Sequence, residues 1–422
     1  MKSYKKIEWR ELDNASKIFP STANNKDTKV YRITCELYEN VDPCILQEAL
    51  DLTLETFPLY KSVLRRGVFW YYFEISNLSP TVDAENTPLC SPIYIKDKRT
   101  LLFRVSYYNK RINLEIFHAL SDGAGAVWFI ETLIFHYLIL RQKDTFNGNI
   151  PKLNYKASIS QKMDDSFWKN YHRQNKRGLK KRDKRINAYR IKGTRLDENR
   201  MKLIEGSLSV NEVLKISHEY NTTLTIFLTS LFLYSIYKDM PADKQNYPII
   251  LSVPINLRQY YDSETARNFF STMNVSYNFE KNSPKLEDII KNVNNIFREN
   301  LTKEEIDLKL VKFMSLENNS FARIIPLPLK DIVLKFADKI NDHKVTTSIS
   351  NIGRIDVPQE IKRYIRSFSV SVSARSPKIT LCSFEDRLVI SFTSPFRETD
   401  IQRTFFQFLS NKGLEVEISS NE

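Results

Sequence analysis

The pattern of apolar and polar residues predicts alternating strands and helices in the first third of the chain. Apolar side chains at every second position are typical of strands, and apolar side chains three or four positions apart are typical of helices. By these criteria, strands are predicted at residues 30–37, 101–107 and 112–118, and helices at residues 43–57 and 123–140. Asp42 can cap the first helix, and residues 108–110 have the composition of a hairpin turn.

The same mixture of elements returns in the second half of the chain. Strands are predicted at residues 201–208, 249–255, 273–279, 346–350, 367–374, 379–384 and 388–393. Helices are predicted at residues 210–220, 224–237 and 400–409, and a long amphipathic region covers residues 284–316. Ser209 can cap the first of these helices, and Thr222 or Thr223 can cap the second.

The length of 422 residues exceeds what a single hydrophobic core usually organises. We therefore expect an α/β protein, an α+β sandwich of two subdomains in which helices flank a mixed sheet. The predicted boundaries are residues 1–160 for the first subdomain, 161–195 for a basic linker and 196–422 for the second subdomain. The hydrophobic share of 42% is typical of a folded globular chain.

Most of the net charge of +13 lies in residues 169–195, which we call the basic segment. Because one acidic residue, Asp183, stands among twelve basic ones, the segment carries +11 and leaves +2 for the rest of the chain. The twelve are Lys169, Arg173, Lys176, Arg177, Lys180, Lys181, Arg182, Lys184, Arg185, Arg190, Lys192 and Arg195. A solvated linker or helix face, an anionic membrane surface and nucleic acid are all compatible with this charge. No nucleic-acid-binding motif accompanies it, so no nucleic-acid partner is expected.

Several features of the sequence indicate a cytoplasmic protein. Residues 1–20 contain no apolar signal-peptide core, and the apolar stretches 126–140 and 224–237 are predicted to be core helices rather than membrane spans. The four cysteines show no metal-binding or redox spacing. We expect a monomer without a transmembrane segment, a metal site or a bound cofactor. With only 9 glycines, a glycine-rich phosphate loop is also disfavoured.

One short motif carries candidate chemistry. His118, Asp122 and Gly123 form an H-x-x-x-D-G pattern between a predicted strand and an apolar helix that opens with small residues. A histidine is suited to acid–base catalysis because its ordinary pKa lies near working pH. The alternative is a surface turn, in which Ser121 or Asp122 only caps the helix.

In this context the chain resembles the chloramphenicol-acetyltransferase-like acyltransferases. This superfamily includes alcohol acetyltransferases, plant acyltransferases, polyketide-associated acyltransferases and the condensation domains of peptide synthetases. Residues 251–258 (LSVPINLR) and 268–277 (NFFSTMNVSY) resemble the family's strand ending in Arg and its Asn-Phe run. Residues 348–353 (SISNIG) resemble a strand of the microbial alcohol acetyltransferases, which are the nearest branch.

The resemblance implies two subdomains with an active-site tunnel between them. It implies that His118 is a general base for direct acyl transfer from acyl-CoA, a co-substrate, to an alcohol or amine. Asp122 would pair with Arg258 to support the site, and Gly123 would occupy a position with special torsions or close approach. Asn351, the backbone around Ser350, and Ser271 or Thr272 are the candidate oxyanion donors. The basic segment could then attract the phosphates of coenzyme A.

Two other functions remain open at this point. A condensation-like enzyme would use the same residues with a carrier-protein thioester as donor. The paired histidine of condensation domains is absent, because Phe117 precedes His118, and this disfavours that function. A non-catalytic binding protein on the same fold would use the basic segment to hold an acidic partner.

Overall fold

The computed structural model describes residues 9–146, 148, 150–171, 187–317 and 323–421. In chain order the strands are β1 (Trp9–Glu11), β2 (Val30–Leu37), β3 (Ser62–Arg66), β4 (Tyr71–Ile75), β5 (Val82–Ala84), β6 (Phe103–Tyr108), β7 (Arg111–Phe117), β8 (Lys202–Ser209), β9 (Ile249–Asn256), β10 (Phe270–Tyr277), β11 (Thr347–Arg354), β12 (Ile365–Val372), β13 (Lys378–Phe384), β14 (Arg387–Ser394) and β15 (Glu417–Ser420). The helices are α1 (Phe19–Thr22), α2 (Pro43–Thr56), α3 (Gly123–Arg141), α4 (Lys143–Phe146), α5 (Ile159–Met163), α6 (Ser166–Lys169), α7 (Val210–Glu219), α8 (Leu224–Asp239), α9 (Leu286–Asn300), α10 (Lys303–Glu317), α11 (Leu327–Asp342), α12 (Gln359–Lys362) and α13 (Asp400–Asn411).

The sheet of the first half has five strands in the order β12-β2-β7-β6-β5. β2, β7, β6 and β12 pair antiparallel, whereas β5 is parallel to β6, so the sheet is mixed. Helices α2 and α3 pack on each other, and α3 also contacts β2. Helix α2 begins as predicted, because Asp42 Oδ1 accepts the backbone N–H groups of Cys44 and Ile45.

The sheet of the second half has seven strands in the order β10-β9-β11-β13-β14-β8-β15. Strand β11 is parallel to both of its neighbours, and the other pairs are antiparallel, so this sheet is mixed as well. Helix α8 packs against α9 and α13. A small sheet of order β1-β4-β3 completes the architecture. The predicted α/β class with helices flanking two mixed sheets is confirmed.

Strand β12 crosses from one half to the other. It lies late in the sequence, yet it pairs antiparallel with β2 along the edge of the first sheet, from Val372 opposite Tyr31 to Ile365 opposite Leu37. The first sheet therefore needs residues from the last sixth of the chain. The boundaries at residues 160 and 195 stay predictions. Strand β12 follows both of them in the sequence but pairs with β2, which precedes them.

The observed elements differ from the sequence pattern in a few places. The strand predicted at 273–279 is β10, which starts three residues earlier because it pairs along its length with β9. The amphipathic region 284–316 is two helices, α9 and α10. Of the two candidate caps, Thr223 is the one that caps α8. Strands β3 and β4 and helix α11 were not predicted.

Helix α3 forms part of the core of the first half. Within the described residues it is the one helix long and apolar enough to cross a membrane, but 67% of that stretch is buried inside the protein. Phe129, Ile130 and Leu133 are fully covered. The apolar run therefore serves as a core helix, in line with the sequence prediction.

Candidate active site

His118 follows strand β7 directly, at the point where the two halves meet. The ladder between β7 and β2 ends with Phe117 opposite Val30. The backbone N–H of His118 then donates to the carbonyl oxygen of Lys29 at 2.8 Å. After a short turn the chain enters α3 at Gly123. The motif therefore occupies the strand–turn–helix setting that the sequence indicates, and the imidazole is half-buried.

The side chain of Asn268 fixes which nitrogen of His118 carries the proton. Asn268 Nδ2 donates to the carbonyl oxygen of His118 at 3.0 Å and to Ser16 Oγ at 2.9 Å. A carbonyl can only accept, so the amide nitrogen must face it, and Oδ1 then faces His118 Nδ1 at 3.1 Å. Nδ1 consequently holds the hydrogen, which leaves Nε2 as the basic atom of the neutral ring.

A buried chain of hydrogen bonds continues from Asn268 to Asp13. Ser16 Oγ accepts from Asn268 and donates to Asp13 Oδ1 at 2.6 Å, and the Ser16 backbone N–H donates to the same oxygen. Burial raises the pKa of Asp13 to about 6, and the nearby Arg267 acts in the opposite direction. Along this series, from His118 Nδ1 through Asn268 and Ser16 to Asp13, each group donates to the next. The chain thus supports the ring form that has hydrogen on Nδ1.

Asp122 and Arg258 form a buried ion pair between the two halves. Nη1 and Nη2 of Arg258 donate to the two carboxylate oxygens at 2.8 and 3.1 Å, and each side chain is 6% exposed. The guanidinium also donates to the carbonyl oxygens of Thr265 and Arg267. Removing either partner would leave the other charge buried and unpaired, at a cost of about 3–5 kcal/mol.

Asp122 also starts helix α3. Its Oδ1 accepts from the backbone N–H of Gly125, and its Oδ2 accepts from that of Phe269. The two roles that the sequence left open, helix cap and partner of Arg258, are both present. Because both oxygens are occupied, this carboxylate is suited to holding the His118 turn in place rather than to proton transfer.

The glycine with the tightest surroundings is Gly125 rather than Gly123. A Cβ at Gly125 would overlap the carbonyl oxygen of Ala266 and the Ser121 hydroxyl. At Gly123 the expected special torsion is absent, since its φ is not among the positive ones. The close approach there is to the flexible Ile352 side chain, at 2.8 Å. The restrictive position lies two residues beyond the one that the motif indicates.

Aromatic rings surround His118. Phe19 stacks on the imidazole with ring centres 4.4 Å apart, Tyr31 meets it edge-on at 5.1 Å, and Phe270 lies at 5.5 Å. Burial lowers the pKa of His118 below its ordinary value of 6.5, although the Asn268 contact and the charge of Asp122 oppose this shift. The ring is therefore neutral at pH 7, as a base must be.

A cavity of about 130 Å³ lies against His118 between the two halves. Its walls include Tyr31, His118 and Gly123 from the first half and Asn256, Phe270 and Ser350 from the second half. The valines of β12, Val370 and Val372, complete the lining. The space expected between the subdomains is thus present as a cavity, with Phe19 stacked on the adjacent imidazole.

The candidate oxyanion donors are placed differently from one another. Ser350 and Asn351 line the cavity. However, Asn351 Nδ2 donates to Thr225 Oγ1 at 2.8 Å and its Oδ1 accepts from the Gly353 N–H, so its amide is already engaged in a local turn. Ser271 points to the opposite face of β10 from Phe270 and is buried.

Strand alternation places Thr272 on the Phe270 side of β10, and it is exposed. The structure thus brings Ser350 to the cavity and keeps Ser271 away from it. Asn268, Phe19 and Tyr31 complete the surroundings of His118 but were not predicted as site residues. Asn268 opens the run 268–277 that carried the resemblance, and this was the one available signal for it.

The basic segment is largely outside the described residues, since residues 172–186 are not among them. Near its carboxyl-terminal end, Arg190 pairs with Asp342, and the Arg195 side chain donates to the carbonyl oxygen of Arg375. These contacts tie the end of the segment to the second half. The predicted attraction of phosphates to the segment stays a prediction.

No protein-family model matches the chain, and no curated protein matches it by sequence. Solved structures do match over nearly the whole length. Polyketide synthase associated protein 5 from Mycobacterium tuberculosis is 13% identical with a TM-score of 0.62, and the match covers 95% of this chain and 96% of that one. A trichothecene 15-O-acetyltransferase from Fusarium sporotrichioides is 11% identical with a TM-score of 0.62, covering 95% and 94%.

Condensation domains of peptide synthetases match equally well. The first condensation domain of the CDA synthetase is 12% identical with a TM-score of 0.63, and the match covers 96% of each chain. The starter condensation domain of a rhizomide synthetase, solved in complex with C8-CoA, is 10% identical with a TM-score of 0.62, covering 96% and 94%. The chain therefore has the two-subdomain fold shared by the chloramphenicol-acetyltransferase-like acyltransferases and the condensation domains.

Proposed function

We propose that the chain is an acyltransferase in which His118 is the general base. The observation that carries this proposal is the hydrogen bond from His118 Nδ1 to Asn268, which leaves Nε2 unprotonated on a ring that lines a cavity. The lowered pKa of His118 keeps this atom unprotonated at neutral pH, so it is free to accept a proton. A histidine with a fixed tautomer and an adjacent cavity is what proton removal from a bound acceptor requires.

The proposed donor is an acyl-CoA thioester, and the acceptor is an alcohol or amine. His118 Nε2 takes the acceptor's proton while the acceptor oxygen or nitrogen bonds to the thioester carbonyl carbon. The carbon–sulfur bond then breaks, and the thiolate leaves with the proton from His118, so no acyl-enzyme forms. Two similar structures support this chemistry by analogy, one named as an acetyltransferase and one solved with C8-CoA.

The cavity against His118 supplies the candidate oxyanion donor. Its volume is about 130 Å³. Ser350 lines this space, so we favour its hydroxyl or backbone over Ser271 as the oxyanion donor. A second substrate that approached the ring from the Phe19 side would require that stacked ring to move.

Replacing His118 by alanine tests the assignment. We expect thioester consumption with acetyl-CoA and a panel of alcohols and amines to fall by about 10²–10⁴-fold, because the base is removed. His136→Ala is the matched control, since His136 is a partly buried histidine on α3 that contacts Thr53 instead of the cavity. If His118→Ala turned over thioester as fast as the unmodified chain, the proposed role of His118 would be wrong.

A carrier-protein thioester is the second candidate donor, because condensation domains share the fold over 96% of the chain. The two donors can be separated by comparing acyl transfer from free acyl-CoA with transfer from an acylated carrier protein at equal concentrations. Faster transfer from the carrier protein would favour the condensation-like function. Faster transfer from free acyl-CoA would favour the acyltransferase proposed here.

A further inference from the structure

Helix α11 presents its apolar side to the solvent. Leu329, Ile332, Val333, Phe336 and Ile340, which we call the α11 face, follow helical spacing and are 45–66% exposed. Helices at a protein surface normally turn such a stripe toward the core. Exposed apolar side chains that are grouped on one side of a helix in this way are typical of an interaction site.

The opposite side of α11 is acidic and is held by polar contacts. Asp331 accepts hydrogen bonds from the hydroxyls of Ser21 and Tyr71 at 2.6 and 3.0 Å. Asp338 accepts from Arg375 at 2.6 Å, and Asp342 contacts Arg375 as well. The helix is therefore anchored by its carboxylates. These contacts fix the orientation of the helix, and its apolar side therefore faces the solvent.

The apolar surface continues onto the turn between β3 and β4. The backbone N–H of Leu327 donates to the carbonyl oxygen of Val68 at 2.8 Å, and Lys330 Nζ donates to that of Phe69 at 2.9 Å. Val68 and Phe69 are themselves 71% and 44% exposed, and Ile324 just before the helix is 67% exposed. The exposed apolar side chains of the turn thus lie next to the start of α11.

The charged side chains on the outer side of α11 are lysines. Lys335 and Lys339 lie beside Ile332 on the helix and are exposed, whereas all three aspartates of α11 are turned to the inner side. An exposed apolar stripe bordered by lysines, with the acidic residues facing away, has the arrangement of a helix that lies in a membrane interface. The lysines can reach anionic headgroups while the apolar side chains enter the acyl boundary.

We propose that the α11 face, together with Val68 and Phe69, docks the protein onto the surface of an anionic lipid bilayer. The binding is peripheral, with α11 lying parallel to the bilayer plane. This inference is independent of the proposed acyl transfer, because it concerns a different surface and its test does not measure activity. A second copy of the chain or a protein partner would cover the same side chains, and the experiment separates these outcomes.

The experiment measures flotation of the full chain with phosphatidylcholine vesicles that contain or lack phosphatidylserine. We expect binding to the phosphatidylserine vesicles and markedly weaker binding to phosphatidylcholine alone. Ile332→Glu should weaken binding by about tenfold or more, because it places a charge in the apolar stripe. Lys335→Gln combined with Lys339→Gln should weaken binding by about fivefold or more, because headgroup contacts are lost.

Ile418→Glu is the matched control, since Ile418 is 51% exposed on β15 in the other half. Both isoleucines are exposed, so both variants should keep the circular dichroism and thermal midpoint of the unmodified chain. The proposal is overturned if the chain floats with neither vesicle, if it floats equally with both, or if Ile332→Glu binds as well as Ile418→Glu. A dimer that Ile332→Glu dissociates, without vesicle binding, would assign the face to a second copy instead.

Discussion

The proton on the His118 ring is positioned by a residue 150 places further along the chain. Asn268 contacts both Nδ1 and the backbone carbonyl of His118, so one amide orients the ring and fixes its tautomer. Ser16 and Asp13 hold this amide in turn. The basicity of His118 Nε2 therefore depends on residues from both halves.

Asn268→Ala should lower kcat by about 10- to 100-fold and change KM little, because the reactive tautomer of His118 is no longer enforced. Asn113→Ala is the control. Asn113 is similarly buried and hydrogen-bonded to Thr34, but it lies at the other end of β7. Steady-state kinetics on both variants, at temperatures where both are folded, distinguish a positioning role of Asn268 from a general loss of stability. Equal losses of kcat would contradict a positioning role for Asn268.

If His118 is the base of the proposed acyl transfer, the pH dependence of the activity should follow the protonation of its ring. The base must be neutral, and burial lowers its pKa below 6.5, so the midpoint of the loss of activity should lie below pH 6.5. A profile of kcat/KM against pH in the folded range measures this. A midpoint above pH 6.5 would mean that the ring is not the titrating base.

The sequence could predict the His118 and Asp122 pair but not the side chains around it. The four-residue spacing is a local signal, because both residues belong to one turn between β7 and α3. Arg258 was matched through the resemblance of residues 251–258 to a strand of the family that ends in Arg. Asn268, Phe19 and Ser16 act through contacts between distant segments, and no local pattern distinguishes such residues from ordinary polar or apolar ones.

Helix α3 starts against the segment that carries Ala266, and this close contact depends on Gly125. Ser121 Oγ donates to the carbonyl oxygen of Ala266 at 2.6 Å, which brings that backbone next to the first turn of the helix. A side chain at Gly125 has no room there, whereas Gly123 faces only the end of Ile352. The element can approach the other half this closely because one position lacks a side chain.

Gly125→Ala should lower the free energy of unfolding by about 1–3 kcal/mol, because the new methyl group overlaps backbone that must shift. Gly123→Ala should change it by no more than about 0.5 kcal/mol, since the Ile352 side chain can rotate away. Urea denaturation of the two variants provides the comparison. A larger loss for Gly123→Ala would reverse the assignment made here.

The periodicity of apolar residues in the sequence predicted the strands and helices that pack one apolar face against a core. β2, α2 and α3 lie within one or two residues of their predicted bounds. Helix α11 was missed although its apolar stripe is regular, because the sequence does not show that Asp331 and Asp338 bind Tyr71 and Arg375 across the fold. The observed bounds differ from the predicted ones where pairing with a neighbouring strand sets the length, as in β10, which pairs with β9 from its first residue.

The two halves of the molecule share strands and charges. Arg258 of the second half neutralises Asp122 of the first, and β12 completes the first sheet. The presence of two mixed sheets follows from the alternation of predicted elements along the chain. The sequence could not predict that β12 joins the first sheet, because residues 365–372 have the same alternation whichever sheet they join.

The protein should unfold in a single transition. Three of the four tryptophans, Trp9, Trp70 and Trp128, lie in the first 160 residues, and Trp168 lies in the linker. Their fluorescence therefore reports mainly the first half, while far-ultraviolet circular dichroism reports the whole. We expect both signals to give the same urea midpoint, since β12 and the Arg258 pair couple the halves. Separate midpoints would show that the halves unfold independently.

The position of β12 also limits how the chain can be divided. A first half produced without residues 365–372 would leave the backbone donors and acceptors of β2 unpaired along one side. Such an open edge is a template for pairing with other chains. The fragment would therefore tend to aggregate, and until the last sixth of the chain has been synthesised, the growing protein carries the same hazard. Strand β12 thus makes the completion of the first half one of the last events in folding.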